Sequence, residues 1–221
     1  MNNNPPVRVR VKFAKHGDLR FTGHLDLQRL FERALRRSGL PLRFSQGFNP
    51  KVRLSLASAL PLGFSSEAEL LDFWLDEQVD IPLIKQNLDL ALPNDISVRQ
   101  IELVSNQLPS LQSSLIASEY RVSFFPEGEP QKVAEKLSNL LDQENILFTR
   151  RTKTVNYKNL ILAANWLKTP QGLDLLLRMK STPDANGRPD ELLRLLGLTP
   201  GSYQVCRTAL IFSPEEMRED G

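Results

Sequence analysis

The sequence predicts an α+β fold of two tandem ferredoxin-like (split βαβ) units, each an antiparallel sheet with its helices on one face. Three observations predict it. The apolar periodicity of residues 7–104 runs in the order strand, helix, strands, helix, strand. Residues 120–212 run through that order again without recognisable similarity of sequence. Between them lies an uncharged stretch rich in Ser, Gln and Pro, 105–118, which reads as a linker. The expected organisation is therefore an N-terminal unit 1–104, a linker 105–118, a C-terminal unit 119–212 and an acidic tail 213–221.

In the first unit, Val7, Val9, Val11 and Phe13 alternate with Arg8, Arg10 and Lys12, the period of a half-buried strand. Over 24–38 the pattern becomes helical, with Leu27, Leu30, Phe31, Ala34 and Leu35 on one face and Gly39 at the stop. Residues 40–44, 52–57 and 70–75 read as strands, and 80–92 as a helix with Pro82 near its start. Residues 96–104 read as a closing strand whose alternation slips once. In the second unit, 120–125 is a strand, 131–143 a helix behind Pro130, and 146–152 a strand. Residues 163–168 and 173–180 form a hairpin around Thr-Pro-Gln-Gly. Residues 189–196 form a short helix ended by Gly197, and 203–212 is the last strand.

The 28 Lys and Arg nearly balance 26 Asp and Glu, which excludes a polybasic coat or an acidic tail protein. The balance hides strong segregation. Residues 7–53 carry 12 basic and 3 acidic residues, 54–145 carry 5 and 15, and 146–212 carry 10 and 4. The single cysteine, Cys206, excludes a disulfide framework, a zinc knuckle or an iron–sulfur cluster built by this chain alone, and reads as a small core residue. With no secretory leader and no apolar run of membrane-spanning length, the expected location is the cytoplasm.

The candidate site lies in the first basic block. Arg29, Arg33, Arg36 and Arg37 fall opposite the apolar face of the helix, and Arg8, Arg10 and Lys12 extend a basic sheet surface, the footprint of a phosphate chain or an acidic protein. The loop Ser45-Gln46-Gly47-Phe48-Asn49-Pro50, followed by Lys51 and Arg53, sets an aromatic ring among phosphate-binding groups. Phe48 there either stacks on a base or folds back as a core plug. His24, at the start of the helix with Lys15 and Arg20 nearby, suits a general acid or base of metal-independent RNA cleavage, or a hydrogen-bonded helix-start histidine. Glu67, Glu69, Asp72, Asp76 and Glu77 read as a solvated edge. Nucleotide-hydrolysis, dinucleotide, zinc-protease and serine-hydrolase signatures are absent from the sequence, and no metal or cofactor is expected.

The runs His16-Gly-Asp-Leu-Arg-Phe21, His24-Leu-Asp-Leu-Gln-Arg-Leu-Phe-Glu-Arg-Ala-Leu-Arg-Arg37, Leu40-Pro-Leu-Arg-Phe-Ser-Gln-Gly-Phe-Asn-Pro50 and Leu60-Pro-Leu-Gly63 resemble the radical-SAM-linked protein family. That family is a bacterial domain found fused to or encoded beside radical SAM proteins, often near the gene for an endoribonuclease of the E/G type. The chain departs from its pattern at Gly23, where a capping Ser is usual, and at Lys51-Val52, where a His-Pro pair is common. The resemblance implies RNA metabolism, a ribonuclease E/G or RNA partner, and an association with a radical SAM protein. The expected function is a non-catalytic binding or regulatory role, with a His24 endoribonuclease or an RNA-presenting accessory subunit as rivals.

Overall fold

A computed structural model describes residues 5–125, 129–150 and 152–214, the side chains of Arg150 and Lys153 excepted. Most of the expected acidic tail, 215–221, lies outside the described residues. The chain is mixed α+β, with mostly antiparallel strand pairing and packed helices, and forms two compact units: Met1–Leu115 with Phe212–Gly221, and Ile116–Ile211.

The first unit contains β1 (Val7–Lys15), α1 (His24–Arg37), β2 (Leu54–Leu56), β3 (Ser65–Leu75), α2 (Ile81–Ala91) and β4 (Ile96–Val104). Its strands lie in the order β4-β1-β3-β2, every neighbour antiparallel. Val9, Val11 and Phe13 share one core with Leu27, Phe31 and Leu35 of α1 and Ile84 and Leu88 of α2, so both helices cover the same sheet face. The Phe13 and Phe31 rings meet at 4.7 Å. The slip in the last strand is a bulge: Lys12 faces Gln100 and Phe13 faces Val98, so Arg99 is skipped. Gly39 follows the C-cap Ser38 of α1 with φ +70°. Residues 40–44 do not form the expected strand; they make only isolated bridges, Leu42 to Leu75 and Phe44 to Val52.

One turn was not foreseen. Gly17–Phe21 forms a 3-10 turn whose free amides are capped by the Asp95 carboxylate, which accepts from the N–H of Asp18 at 2.9 Å and of Leu19 at 3.4 Å. Gly17 has φ +56°, and a Cβ there would stand 2.4 Å from that carboxylate.

Of the basic sheet surface expected from Arg8, Arg10 and Lys12, only Lys12 is exposed; Arg8 and Arg10 are not part of it. Both side chains are buried, at 4% and 3% exposure, against the fully buried Asp72. Arg8 donates to Asp72 from Nε (2.9 Å) and Nη2 (2.5 Å), and Arg10 from Nε (2.8 Å) and Nη2 (3.0 Å). Arg8 also donates to the carbonyls of Ser105, Leu108 and Pro109. Segment 105–110 thus lies across the face the alternation had assigned to solvent, and α3 (Leu111–Ser114) follows with Leu111 buried. The acidic run along and after β3 is only in part the expected solvated edge: Glu67 and Glu77 are exposed, but Glu69 and Asp72 are buried, and Asp76 pairs with Arg43 at 2.8 Å.

The second unit contains β5 (Leu115–Phe124), α4 (Pro130–Leu141), β6 (Leu147–Arg150), β7 (Lys153–Asn156), β8 (Ile161–Thr169), β9 (Gly172–Lys180), α5 (Pro189–Leu195) and β10 (Tyr203–Phe212). The strand order is β10-β5-β9-β8. Val122, Leu175, Leu177 and Met179 from the sheet are buried, as are Val133 and Leu137 of α4 and Leu192 and Leu193 of α5. Residues 146–156 turn back as a separate hairpin, β6 on β7, where a single strand had been expected. Cys206 is half-buried; its neighbours Val205 and Arg207 take the buried positions of β10. Among the described residues, no helix is long and apolar enough to cross a membrane.

Candidate nucleic-acid interface

The α1 helix forms because its apolar residues recur at helical spacing over a formed sheet face. Its arginines then project away from that core. Arg29, Arg33 and Arg37, one turn apart in succession, line a groove of about 510 Å³ with Asp26, Leu30, Ala91, Leu92 and Pro93. Arg37 donates to the carbonyl of Ala91 at 2.7 Å, so it caps the C-terminal end of α2. Arg29 pairs with Asp26 at 3.2 Å, both about two-thirds exposed, an arrangement water and salt readily displace. Arg33 is exposed and makes no salt bridge among the described residues.

Arg36 lies about 20° around the helix from Arg29, at about 100° per residue, and turns toward the loop instead of the groove. It pairs with Glu32 at 3.1 Å, lies 5.1 Å over the Phe44 ring, and approaches the Pro50 carbonyl at 3.4 Å. These contacts hold loop 45–50 against the last turn of α1. The loop is closed by Ser45, whose N–H donates to the Lys51 carbonyl and whose Oγ accepts from the Lys51 N–H. Gly47 has φ +128°, in the region that favours glycine. Gln46, Asn49 and Lys51 are exposed, and Phe48 is fully so, which removes the core-plug alternative. Arg53 does not join this cluster. It lies on the opposite sheet face, 4.2 Å over the Trp74 ring, because the alternation that buries Val52 and Leu56 turns Arg53 and Ser55 the other way.

At the other end of α1, Arg20 lies 4.6 Å over the ring of Phe21, and its carbonyl accepts from the N–H of Gly63. Phe21 is 61% exposed beside the exposed Leu62. Sequence reasoning missed this pair, although an apolar ring outside any periodic element, next to an arginine, was a usable signal. His24 is half-buried at the first position of α1, behind a Gly23 N-cap that supplies no side-chain acceptor. Lys15 is not available to it as a proton-transfer partner in solvent: it is fully buried, with its ammonium 3.3 Å from the Thr22 carbonyl. No group of three or more His, Cys, Asp and Glu able to hold a metal occurs among the described residues.

The fold and this site define an α+β protein with an exposed arginine helix flanked by exposed aromatic rings. The chain belongs to a bacterial family, described as an uncharacterized protein conserved in bacteria (DUF2344), which it matches over residues 8–189. No curated protein matches it. Among solved structures, it is similar to a chain in the structure of an H/ACA RNP bound to a substrate RNA containing 2'-deoxyuridine, at 10% identity and a TM-score of 0.42, over 96% of this chain and 49% of the other. The chain thus spans about half the length of that protein. An unknown protein from Galdieria sulphuraria is 13% identical at a TM-score of 0.28, over 80% and 81%. A partial Cas6-RT-Cas1–Cas2 complex is 10% identical at 0.25, over 100% and 51%. These similarities are too weak to carry function.

Proposed function

We propose that the chain is a non-catalytic binding protein of bacterial RNA metabolism, acting in the cytoplasm and engaging RNA through the arginine face of α1 and the loop 45–51. Arg33 carries the proposal: an exposed guanidinium, one turn from Arg29 on an open groove, without an acidic partner among the described residues. A structural arginine is normally answered by an acceptor, as Arg8 and Arg37 are here, whereas an unanswered one beside a groove is an anion site in waiting. The family resemblance supports an E/G-type ribonuclease as the protein partner, restrained by coverage of its RNA-binding surface, with a radical SAM protein as a further associate. We assign both units to the ferredoxin-like class. The strand orders β4-β1-β3-β2 and β10-β5-β9-β8 support this, being the same permutation of strand, helix, two strands, helix, strand.

Fluorescence anisotropy with labelled RNA over a salt series tests the reading. Arg29, Arg33, Arg36 and Lys51 together neutralise about four phosphates, which gives a slope of log K against log salt of about −3. Arg29→Glu with Arg33→Glu should flatten that slope by about 1 or more. Pull-downs with and without nuclease report whether a ribonuclease follows the same face. Failure to recover either RNA or an RNA-processing enzyme sinks the proposal. Cleavage that survives a chelator and vanishes in His24→Ala overturns its non-catalytic part.

A further inference from the structure

We infer that the face binds single-stranded RNA by stacking unpaired bases on two platforms, Phe21 and Phe48, one at each end of α1; this rests on the RNA-binding reading above. The two rings share a chemistry that a duplex cannot use. Phe48 is fully exposed on a loop that Arg36 and the Ser45–Lys51 closure fix in place. Phe21 is 61% exposed, with the Arg20 guanidinium over its ring, and its edge comes within 4.0 Å of the position a Cβ on Gly63 would occupy. A buried ring would be core, whereas both rings are exposed, each on a segment closed by hydrogen bonds, the Gly63 N–H to the Arg20 carbonyl and Ser45 with Lys51. Phe21 has the Arg20 guanidinium over its ring, which suits a base and its phosphate together, and Lys51 closes the loop that carries Phe48.

The helix sets the spacing. Phe21 precedes α1 by three residues, and the Phe48 loop is held to its last turn by Arg36. The 14 residues of α1 span about 21 Å at 1.5 Å per residue. At about 3.4 Å per stacked nucleotide, a strand joining the two rings covers about six nucleotides, with the arginines meeting the phosphates between them. The ligand is therefore a short unpaired segment, and a paired helix, whose base faces are covered, is excluded from both platforms.

The test uses the full chain and 5′-labelled oligouridylates: a trinucleotide, a hexanucleotide and a dodecanucleotide, with an RNA duplex as competitor. Affinity should rise more than tenfold from trinucleotide to hexanucleotide and flatten beyond it, and the duplex should compete poorly. Phe21→Ala and Phe48→Ala should each weaken hexanucleotide binding by about 5- to 150-fold with the salt slope unchanged, the signature of lost stacking. Phe21→Leu and Phe48→Leu, which keep apolar bulk without a π-face, should behave like the alanine variants, and Phe48→Trp should restore binding. If the wild type binds RNA with the arginine-dependent slope but is indifferent to both rings, or takes the duplex equally well, this inference fails alone. If the wild type binds none of these RNAs, the RNA reading fails with it. Loss of a ribonuclease, but not of RNA, in Phe21→Ala would give the ring to a protein interface and overturn the inference.

Discussion

Replacing Asp72 by Ala should destabilise the chain by about 3–5 kcal/mol, the cost of breaking a buried ion pair and leaving its cation unanswered. The geometry justifies that range over the smaller one for surface pairs. The carboxylate is fully buried, its two arginines are at most 4% exposed, and all four N–H to O distances lie between 2.5 and 3.0 Å. Removal of the carboxylate leaves Arg8 with the carbonyls of Ser105, Leu108 and Pro109 and the Trp74 ring, which bring no formal charge. For a chain of this size, each kcal/mol moves the midpoint by about 2–4 °C, so the expected fall is about 6–20 °C. Urea unfolding followed by circular dichroism measures the loss, and Asp72→Asn, which keeps the volume, separates charge from cavity. Replacing Arg8, Arg10 and Asp72 together by Met, Leu and Leu should cost less than Asp72→Ala alone, because no stranded charge remains. A loss below about 1 kcal/mol for Asp72→Ala, the range of an exposed pair, would refute the claim that this face is desolvated.

Other predictions concern the first turn, the arginine face and the far strand. Gly17→Ala should cost about 1–3 kcal/mol, from its positive φ and the displaced Asp95 cap, and in a cycle with Asp95→Ala the two losses should fall short of additivity. Arg29→Glu with Arg33→Glu should leave unfolding within about 1 kcal/mol of wild type, since the ion pair lost, Arg29 with Asp26, is exposed; a larger drop would make these arginines structural. The Tyr203 phenol is pushed above its ordinary value, first by burial and then by the nearby Asp190. The unfolded chain therefore ionises first, so the contribution to stability is complete below about pH 10 and lost as pH rises beyond it. Ultraviolet titration should show a late phenol that Tyr203→Phe removes, and that variant should also lose stability less steeply in alkali.

Most strands, the amphipathic face of α1 and the stops at Gly39 and Gly197 were legible because each is written within about ten residues of local pattern, whereas the expected strands at 40–44 and 146–152 were not. The fate of Arg8 and Arg10 was not. Alternation assigns side chains to one face or the other, but whether water reaches that face depends on segment 105–110, a hundred residues away. The acid that answers them was visible but was read as part of a solvated edge, since only the pairing of β1 with β3 sets Arg10 opposite Asp72. The site was half legible. The arginines of α1 follow from spacing, whereas loop chemistry left Phe48 open between an exposed ring and a core plug, which only the fold decides. Adding Arg53 to that cluster ignored that a strand over 52–57 turns successive side chains to opposite faces, so that Arg53 parts from the buried Val52 and Leu56. The division of the arginines between groove and loop, and the Arg20–Phe21 stack, depend on where α2 and the Leu62–Gly63 turn happen to lie.

The three carbonyls that Arg8 grips also govern where the chain tolerates a cut. By composition, 105–110 invites a protease or a fragment boundary, being short of charge and rich in Ser, Gln and Pro. A fragment ended at residue 104 would discard every backbone acceptor of Arg8 and the Asn106 amide oxygen that accepts from the Trp74 indole N–H at 2.9 Å, opening the far side of the sheet. The stretch that resembles disposable tether is a seal, and proteolytic nicking there would report that the sheet has already opened.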